Sequence, residues 1–350
     1  MNLINRYSHH QGRLEKEEKI MKLRTKYFWT TLPILLLVTG TSIAAPNRAD
    51  PEYGDPNYVT GCGTVITEPG KYMVVNDLAC GPSEGGIRIL ASDVSLNLGG
   101  FALSCDLSGN PYSGVVVGDD MNPEVYGNIR ISNGTVTGCG VGVLIWFADG
   151  VRVTKMSLID NPESAVTVVE AMNIVVKHNA IEGGAWAINS YESSGNSFDH
   201  NTIHYSAYGI DMYGETDSRV MCNTVDQGFY TLSLGPYGST PSSGNLIRGN
   251  RVTNSYLGIG LFGGGTPEDG LIFPQSMDNL VHANISQGNW LADVVEVLYD
   301  VNTYDIFLDP GVSCMNTWKN NQFDWSVGPP GCIGEPVDLD EICAMEEDDD

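Results

Sequence analysis

Basic residues are scarce. Eighteen Lys and Arg stand against 43 Asp and Glu in 350 residues, a formal net charge of −25. A phosphate backbone or an anionic lipid surface is held mainly by Lys and Arg, so the balance argues against nucleic acid and anionic membranes as partners. Charge of either sign is thin, at 17% of residues, while 42% are hydrophobic and 41 are Gly. A disordered acidic chain and a charge-laced coiled coil are therefore ruled out. Beyond residue 44 no stretch keeps a 3.6-residue apolar period over helix length, which excludes a helical bundle. Long apolar runs are also missing: the run from Tyr27 to Val38 is shorter than the roughly 20 residues a membrane span needs, so no membrane anchor is expected.

That run has another reading. Lys22, Arg24 and Lys26 precede it, and Thr39-Gly-Thr-Ser-Ile-Ala-Ala45 follows. Basic, apolar and small residues in that order are those of a secretory signal over 21–44, with cleavage after Ala44 and Met21 as the initiator, residues 1–20 being an over-extended start. Export, to the periplasm or beyond the cell, is expected. All eight Cys lie past residue 44, and an even count in an exported chain favours disulfides.

Internal repetition dominates the rest. Asn173-Ile-Val-Val-Lys-His-Asn179-Ala-Ile181, Asn196-Ser-Phe-Asp-His-Asn201-Thr-Ile203 and Ser218-Arg-Val-Met-Cys-Asn223-Thr-Val225 share one pattern, and the second Asn returns at 250, 284 and 321. A second series keeps the same beat: Val143, Val166, Ile188, Ile210, Leu232 and Ile259 each open a short alternating stretch. Such stretches between Gly, Asn and Ser turns read as strands. A period near 22 residues with three strands per turn fits an all-β, single-stranded right-handed parallel β-helix over 93–325, with an N-terminal cap over 45–92 and a C-terminal segment over 326–350 that ends in an acidic tail. A propeller or sandwich would lack the fixed register between the two series. The recurring Asn suits a left-handed corner and an amide ladder from coil to coil. The longer steps mark insertions at Gly235–Gly244, Gly263–Gly270 and Tyr299–Ser313. On this scaffold Cys105 and Cys139 leave equivalent strands of adjacent coils and can bridge; Cys62 with Cys80 would staple the cap, and Cys314 with Cys332 the last coil.

The stacked Asn-x-x-x-x-Asn-x-Ile units, opened by Asp93-Val-Ser-Leu-Asn-Leu-Gly-Gly-Phe-Ala-Leu103, resemble the right-handed parallel β-helix repeat proteins of the pectin-lyase-like superfamily over about residues 87–325. The resemblance implies the fold. For function it implies only a range: polysaccharide lyases, glycoside hydrolases, uronate epimerases, a periplasmic copper-associated maturation protein, and members without assigned activity. Asp119-Asp120 matches the paired aspartates of polygalacturonase-type hydrolases as a dipeptide, but no Gly-His-Gly accompanies it. The Asp-Pro-His-Asp string of alginate epimerases and the Arg cluster of pectate lyases are missing too.

If Ile210 and Met212 point inward, Asp211 and Tyr213 point outward. One outer column then reads Leu144, Thr167, Asn189, Asp211, Ser233, Gly260, and a second reads Trp146, Val169, Tyr191, Tyr213, Gly235, Phe262. Trp146, Tyr191, Tyr213 and Phe262, with Asn189, could form a strip for sugar rings; equally, they could be ordinary strand formers under the inserted loops. Asp211 with Glu192 or Asp119 would be the acid/base groups of a catalytic version. Glu170, Glu192 and Glu215 fall at nearly corresponding positions. Two bare carboxylates about 5 Å apart repel by about 0.8 kcal/mol in water, which solvent splay, a bound Ca²⁺ or one raised pKa would relieve. His178, His200 and Cys222 each precede a ladder Asn and should stack; they would be a buried polar stack or, alternatively, a soft-metal site of a metal-handling accessory protein. The sparse, scattered basic residues favour a neutral glycan partner over pectin or alginate. The functional expectation is an exported β-helix that binds, and in the catalytic version modifies, a polysaccharide on one face, with a non-catalytic glycan-binding or structural role as the alternative.

Overall fold

The computed structural model describes residues 56–81, 85–106, 113–119, 123–237, 239–263, 276–299, 306–307, 314–328, 331–339 and 343. The expected leader, residues 45–55, most of the Gly263–Gly270 and Tyr299–Ser313 insertions, and the acidic tail lie outside the described residues.

Each coil carries three short strands. Ser164–Val169, Val175–Lys177 and Ala180–Glu182 make one coil; Trp186–Tyr191, Ser197–Asp199 and Thr202–His204 the next; Tyr208–Tyr213, Arg219–Met221 and Thr224–Asp226 the one after. Each of these strands pairs in parallel with its counterpart one coil on; among the described strands Ile306–Phe307 is the exception, lying antiparallel to Ala292–Tyr299. The registers are Val166↔Ile188↔Ile210↔Leu232↔Ile259, Val176↔Phe198↔Val220 and Ile181↔Ile203↔Val225. The first strands of the coils build a 12-stranded sheet and the second and third strands a 19-stranded one. The result is a right-handed parallel β-helix, the hand that parallel crossovers adopt almost without exception. Ile188, Ile210, Leu232 and Ile259 are all buried in its interior, each contributing about 2 kcal/mol of apolar burial.

The start of the helix corrects the sequence reading. Asn57–Val59 pairs with Gly70–Val74, Thr64–Ile66 with Ile87–Ile89, and Gly70–Val74 with Val94–Asn97, all in parallel. The described part of 45–92 is therefore helix coil, not a non-repeating cap. Irregular strand spacing hid it, because the Asn signature begins only later.

The corners have a clear division of labour. Asn201 Nδ2 donates to Asn223 Oδ1 at 3.0 Å, Asn223 to Asn250 at 2.9 Å, and Asn250 to Asn284 and Asn284 to Asn321 at 3.0 Å each. Each amide also caps a backbone carbonyl of the preceding coil, as Asn223 does Phe198 O at 2.7 Å. The left-handed residue is not the Asn, as expected from its type, but the residue before it: His178, His200 and Cys222 have φ of 56°, 52° and 55°. That residue turns outward, so the Asn can point in. A second ladder uses the first Asn of the motif: Asn245 Nδ2 donates to Asn279 and Asn279 to Asn316, at 2.9 Å each.

Disulfides Cys62–Cys80, Cys105–Cys139 and Cys314–Cys332 are those the scaffold predicted. A fourth, Cys222–Cys343, ties the C-terminal segment back across the corner column.

Asn223→Ala should strand the amide of Asn201 and the carbonyl of Phe198 in a dry interior and lower unfolding free energy by about 3 kcal/mol. Arg251→Ala, on the exposed side of the same coil step, should stay within about 0.5 kcal/mol in the same urea titration.

Candidate functional site

The outer face of the 12-stranded sheet collects the polar and aromatic residues. Leu144↔Thr167↔Asn189↔Asp211↔Ser233↔Gly260 is one column and Trp146↔Val169↔Tyr191↔Tyr213↔Gly235 the next. Tyr191 and Tyr213 stack with ring centroids 5.6 Å apart and planes 8° off parallel, and the exposed Tyr237 meets Tyr191 edge-on at 5.7 Å. Gly235 leaves room for this, since a Cβ there would press the Tyr213 ring at 3.1 Å. Trp146 is parted from the tyrosines by Val169, and Phe262 turns away to lie over Gly260 and meet Tyr230 at 6.1 Å. The expected strip of four is thus a stacked pair with two outliers.

A third column, Trp186↔Tyr208↔Tyr230, flanks the polar one on its other side. Trp186 and Tyr208 stack at 5.1 Å and Tyr208 meets Tyr230 at 5.8 Å. Aromatics at 186, 208 and 230 step by 22 in phase with the Asn series, so the signal was in the sequence. It was missed because a strand beginning at Ile188 excludes them.

Asp211 sits between these walls, on the outer side of the sheet yet only 1% exposed. Ser233 Oγ donates to its Oδ1, Trp186 Nε1 donates to Oδ2 at 3.2 Å, and the Tyr213 hydroxyl donates as well. Burial pushes the carboxyl up to about 6, while the three donors pull the other way. Burial and the neighbouring Asp211 charge together raise the Tyr213 hydroxyl well above its ordinary range, so it stays protonated and remains a donor. Asn189, one coil earlier, accepts from Ser164 Oγ and donates to the Tyr191 hydroxyl, both at 3.2 Å.

The proposed acid/base partners do not gather here. Asp119 lies at the corner position equivalent to Phe147, Glu170 and Glu192, three coils from Glu192, which is about 14 Å at sheet spacing, and it pairs with Arg88 at 3.5 Å. Glu192 is exposed at a left-handed corner, φ 47°, past the end of its strand. Glu170 has the same φ on the coil before, so those two carboxylates share a surface.

Glu215 does not join them, which corrects the calcium trio. Gly214 occupies the equivalent corner, and Glu215, one residue later, is 0% exposed inside the helix. Ser190 Oγ, Asn196 Nδ2 and Ser218 Oγ each donate to it at 2.6 Å, and burial raises its pKa. Glu296 uses the same device, accepting from Asn316 at 2.9 Å and Trp318 at 2.6 Å.

The His178–His200–Cys222 column is corrected as well. Its members point out of the corner, not inward, because the left-handed residue interrupts strand alternation. The imidazoles lie 5.0 Å apart, but the Cys222 sulfur is bound in its disulfide, so the column has no thiolate. Among the described residues no group of three His, Cys, Asp or Glu is arranged to hold a metal ion.

A family model described as "Right handed beta helix region" matches residues 81–225. No curated protein matches the chain significantly. Among solved structures, a double mutant of the tailspike protein of E. coli bacteriophage HK620, in complex with a pentasaccharide, is similar at a TM-score of 0.53 and 15% identity, covering 77% of this chain and 58% of that one. An exopolygalacturonase from Thermotoga maritima gives 0.51 and 12%, covering 73% of each chain, and a polygalacturonase from Erwinia carotovora ssp. carotovora 0.50 and 10%, covering 81% and 97%. The chain spans little more than half the length of the tailspike, and at these identities the likeness establishes the fold.

Asp211 ionises near pH 4 in the unfolded chain and near 6 in the folded one. The unfolded chain therefore gives up the proton first as pH rises, so stability should fall by about 3 kcal/mol between roughly pH 4 and 6 and then level off. Asp211→Asn should remove that part of the slope and leave the variant more stable than the parent above pH 7. Urea titrations of both proteins across pH 4–8 test this, and parallel curves would refute it.

Proposed function

We propose that this protein is exported and binds a polysaccharide along the outer face of its 12-stranded sheet. The observation that carries the reading is the arrangement there: a polar column of Asn189, Asp211 and Ser233 lies between a stacked tyrosine pair and a second column of Trp186, Tyr208 and Tyr230. Sugar rings have apolar faces and hydroxyl rims, so a polar floor between aromatic walls meets both needs. Four disulfides suit an oxidising compartment, and the described residues hold no helix long and apolar enough to cross a membrane. The polysaccharide-directed names of the similar structures are consistent with a glycan partner. The acidic balance favours a neutral glycan over a uronate polymer.

Binding is favoured over turnover by the carboxylate geometry. Glycosidases need two carboxyl groups about 5–9.5 Å apart, whereas Glu192 and Asp119 stand at corners away from Asp211. One observation supports the catalytic alternative: Asp211 is held near pH 6, where a carboxyl can both give and take a proton.

A glycan array should retain the protein on uncharged polysaccharides, and Tyr191→Ala should weaken that binding about tenfold through loss of one stacked ring. Reducing-end and unsaturated-uronate assays on the retained glycans should stay at background. Turnover abolished by Asp211→Asn would establish the catalytic alternative instead, and retention on no glycan would overturn both.

A further inference from the structure

The turn leading from the third strand of each coil into the next strand of the 12-stranded sheet has an unusual surface. In five successive coils it reads Gly183-Gly-Ala-Trp186, Tyr205-Ser-Ala-Tyr208, Gln227-Gly-Phe-Tyr230, Asn254-Ser-Tyr-Leu257 and Gly288-Asn-Trp-Leu291. None of these holds a charged residue, in a chain of net charge −25. The opposite turn carries a carboxylate in nearly every coil, at Asp149, Glu170, Glu192, Asp217 and Asp278.

The uncharged turns are also where aromatics come to the surface. Among the described residues, six aromatic side chains are strongly exposed, and Tyr205 (62%), Phe229 (36%), Trp290 (62%) and Trp325 (49%) all belong to this one turn. Backbone bonds from Phe229 N to Ala207 O, Tyr256 N to Gly228 O, Trp290 N to Ser255 O and Asp293 N to Trp325 O place them on consecutive coils. At sheet spacing the row from Tyr205 to Trp325 spans about 19 Å. Phe229 and Tyr256 stack within it at 4.7 Å and 6°. Gln227 and Asn254 stand in register with Tyr205 at the start of the turn, where the Asn254 amide donates to Asp226 Oδ1 at 2.6 Å; carboxylates flank the row at Glu182 and Asp226, and Asp324 enters at the far end.

We infer that this turn is a second carbohydrate-binding strip, outside the Asp211 face, that takes an uncharged polysaccharide chain laid along the helix axis. Stacked and exposed rings offer sugar faces a platform, the exposed Gln227 amide offers hydroxyls both a donor and an acceptor, and turns with no Lys or Arg, flanked by carboxylates, give a uronate polymer nothing to pair with. The strip also joins the candidate face: Phe229 meets Tyr208 at 6.5 Å and Tyr230 at 4.7 Å, so one glycan could cross from one surface to the other. The inference shares a glycan ligand with the proposed function but does not need Asp211 or the tyrosine pair.

The test is affinity electrophoresis of the full chain through gels containing a β-glucan, a galactomannan or dextran, with polygalacturonate as the charged comparator. At least one uncharged polymer should retard the protein. Trp290→Ala combined with Tyr205→Ala should weaken that retardation at least tenfold, whereas Tyr191→Ala reports on the Asp211 face alone. Both substituted side chains are mostly in solvent, so unchanged melting is expected. On the parent protein, the retarding polymer should also shield Trp290 and Trp325 from oxidation by N-bromosuccinimide, read by mass spectrometry. Retardation lost only in Tyr191→Ala would overturn the strip and leave the proposed function standing; loss only in the double variant would do the reverse. The strip is likewise overturned by no retardation in any gel, by unshielded tryptophans, or by a parent dimer that the double variant dissociates, which would make the row a self-association face.

Discussion

Everything in this molecule follows from in-register stacking of coils, and the hydrogen bond that fixes the register is the amide-to-amide bond of the Asn ladder. Parallel strands of three residues each make few ladder bonds and have little to prevent a slip. An inward Asn changes that, because its Oδ1 accepts from both the backbone N–H and the Nδ2 of the Asn one coil before, while its own Nδ2 caps a carbonyl. A slip of one residue would leave all of these groups unmatched in a dry interior, at about 1–3 kcal/mol apiece. The cost of misregister is thus far larger than short strands alone could impose.

Register in turn converts sequence distance into surface chemistry. Residues 22 apart become neighbours about 4.8 Å apart, so any side chain repeated at that interval becomes a column. Aromatics at 186, 208 and 230 become a wall; Asn189, Asp211 and Ser233 become a floor. The same logic puts Glu215 indoors. A single residue of phase separates it from the corner occupied by Glu192, and that shift takes it from solvent to a cradle of three donors. Its carboxylate also braces the corner, since Asn196 and Ser218 stand at the first-Asn position of the motif on two adjoining coils.

What the sequence disclosed and what it hid divide along these lines. Periodicity alone located the interior series from Val143 to Ile259 and the columns through Asn189 and Tyr191, because spacing is a direct readout of rung geometry. The three short-range disulfides were legible for the same reason. Cys222–Cys343 was not, since it joins a coil to a segment outside the repeat. Corners were misjudged wherever alternation was carried through a left-handed residue, as at His178, His200 and Cys222: period-two reasoning holds within a strand and fails at a turn. Burial of Asp211 was equally hidden. It depends on Trp186, which starts its strand two residues before the apolar series does.

The two flanks of the 12-stranded sheet have diverged in a way that bears on function. On one side the turns stay short from Ile159 onward, four residues between Ile159 and Ser164 and three between Asp226 and Tyr230 and again between Thr253 and Leu257. On the other, the stretch to the next strand grows from five residues between Tyr213 and Arg219 to ten between Gly235 and Leu246 and sixteen between Gly263 and Leu280. Where the first of these insertions is described, it lies on the side of the Tyr191–Tyr213 pair, and its Tyr237 reaches Tyr191. The constant flank keeps its aromatic row level and open. Under the proposed glycan reading, one wall would vary with the ligand's shape while the other stayed a fixed platform, a division of roles that suits a polymer gripped along its length better than a small molecule enclosed in a pocket.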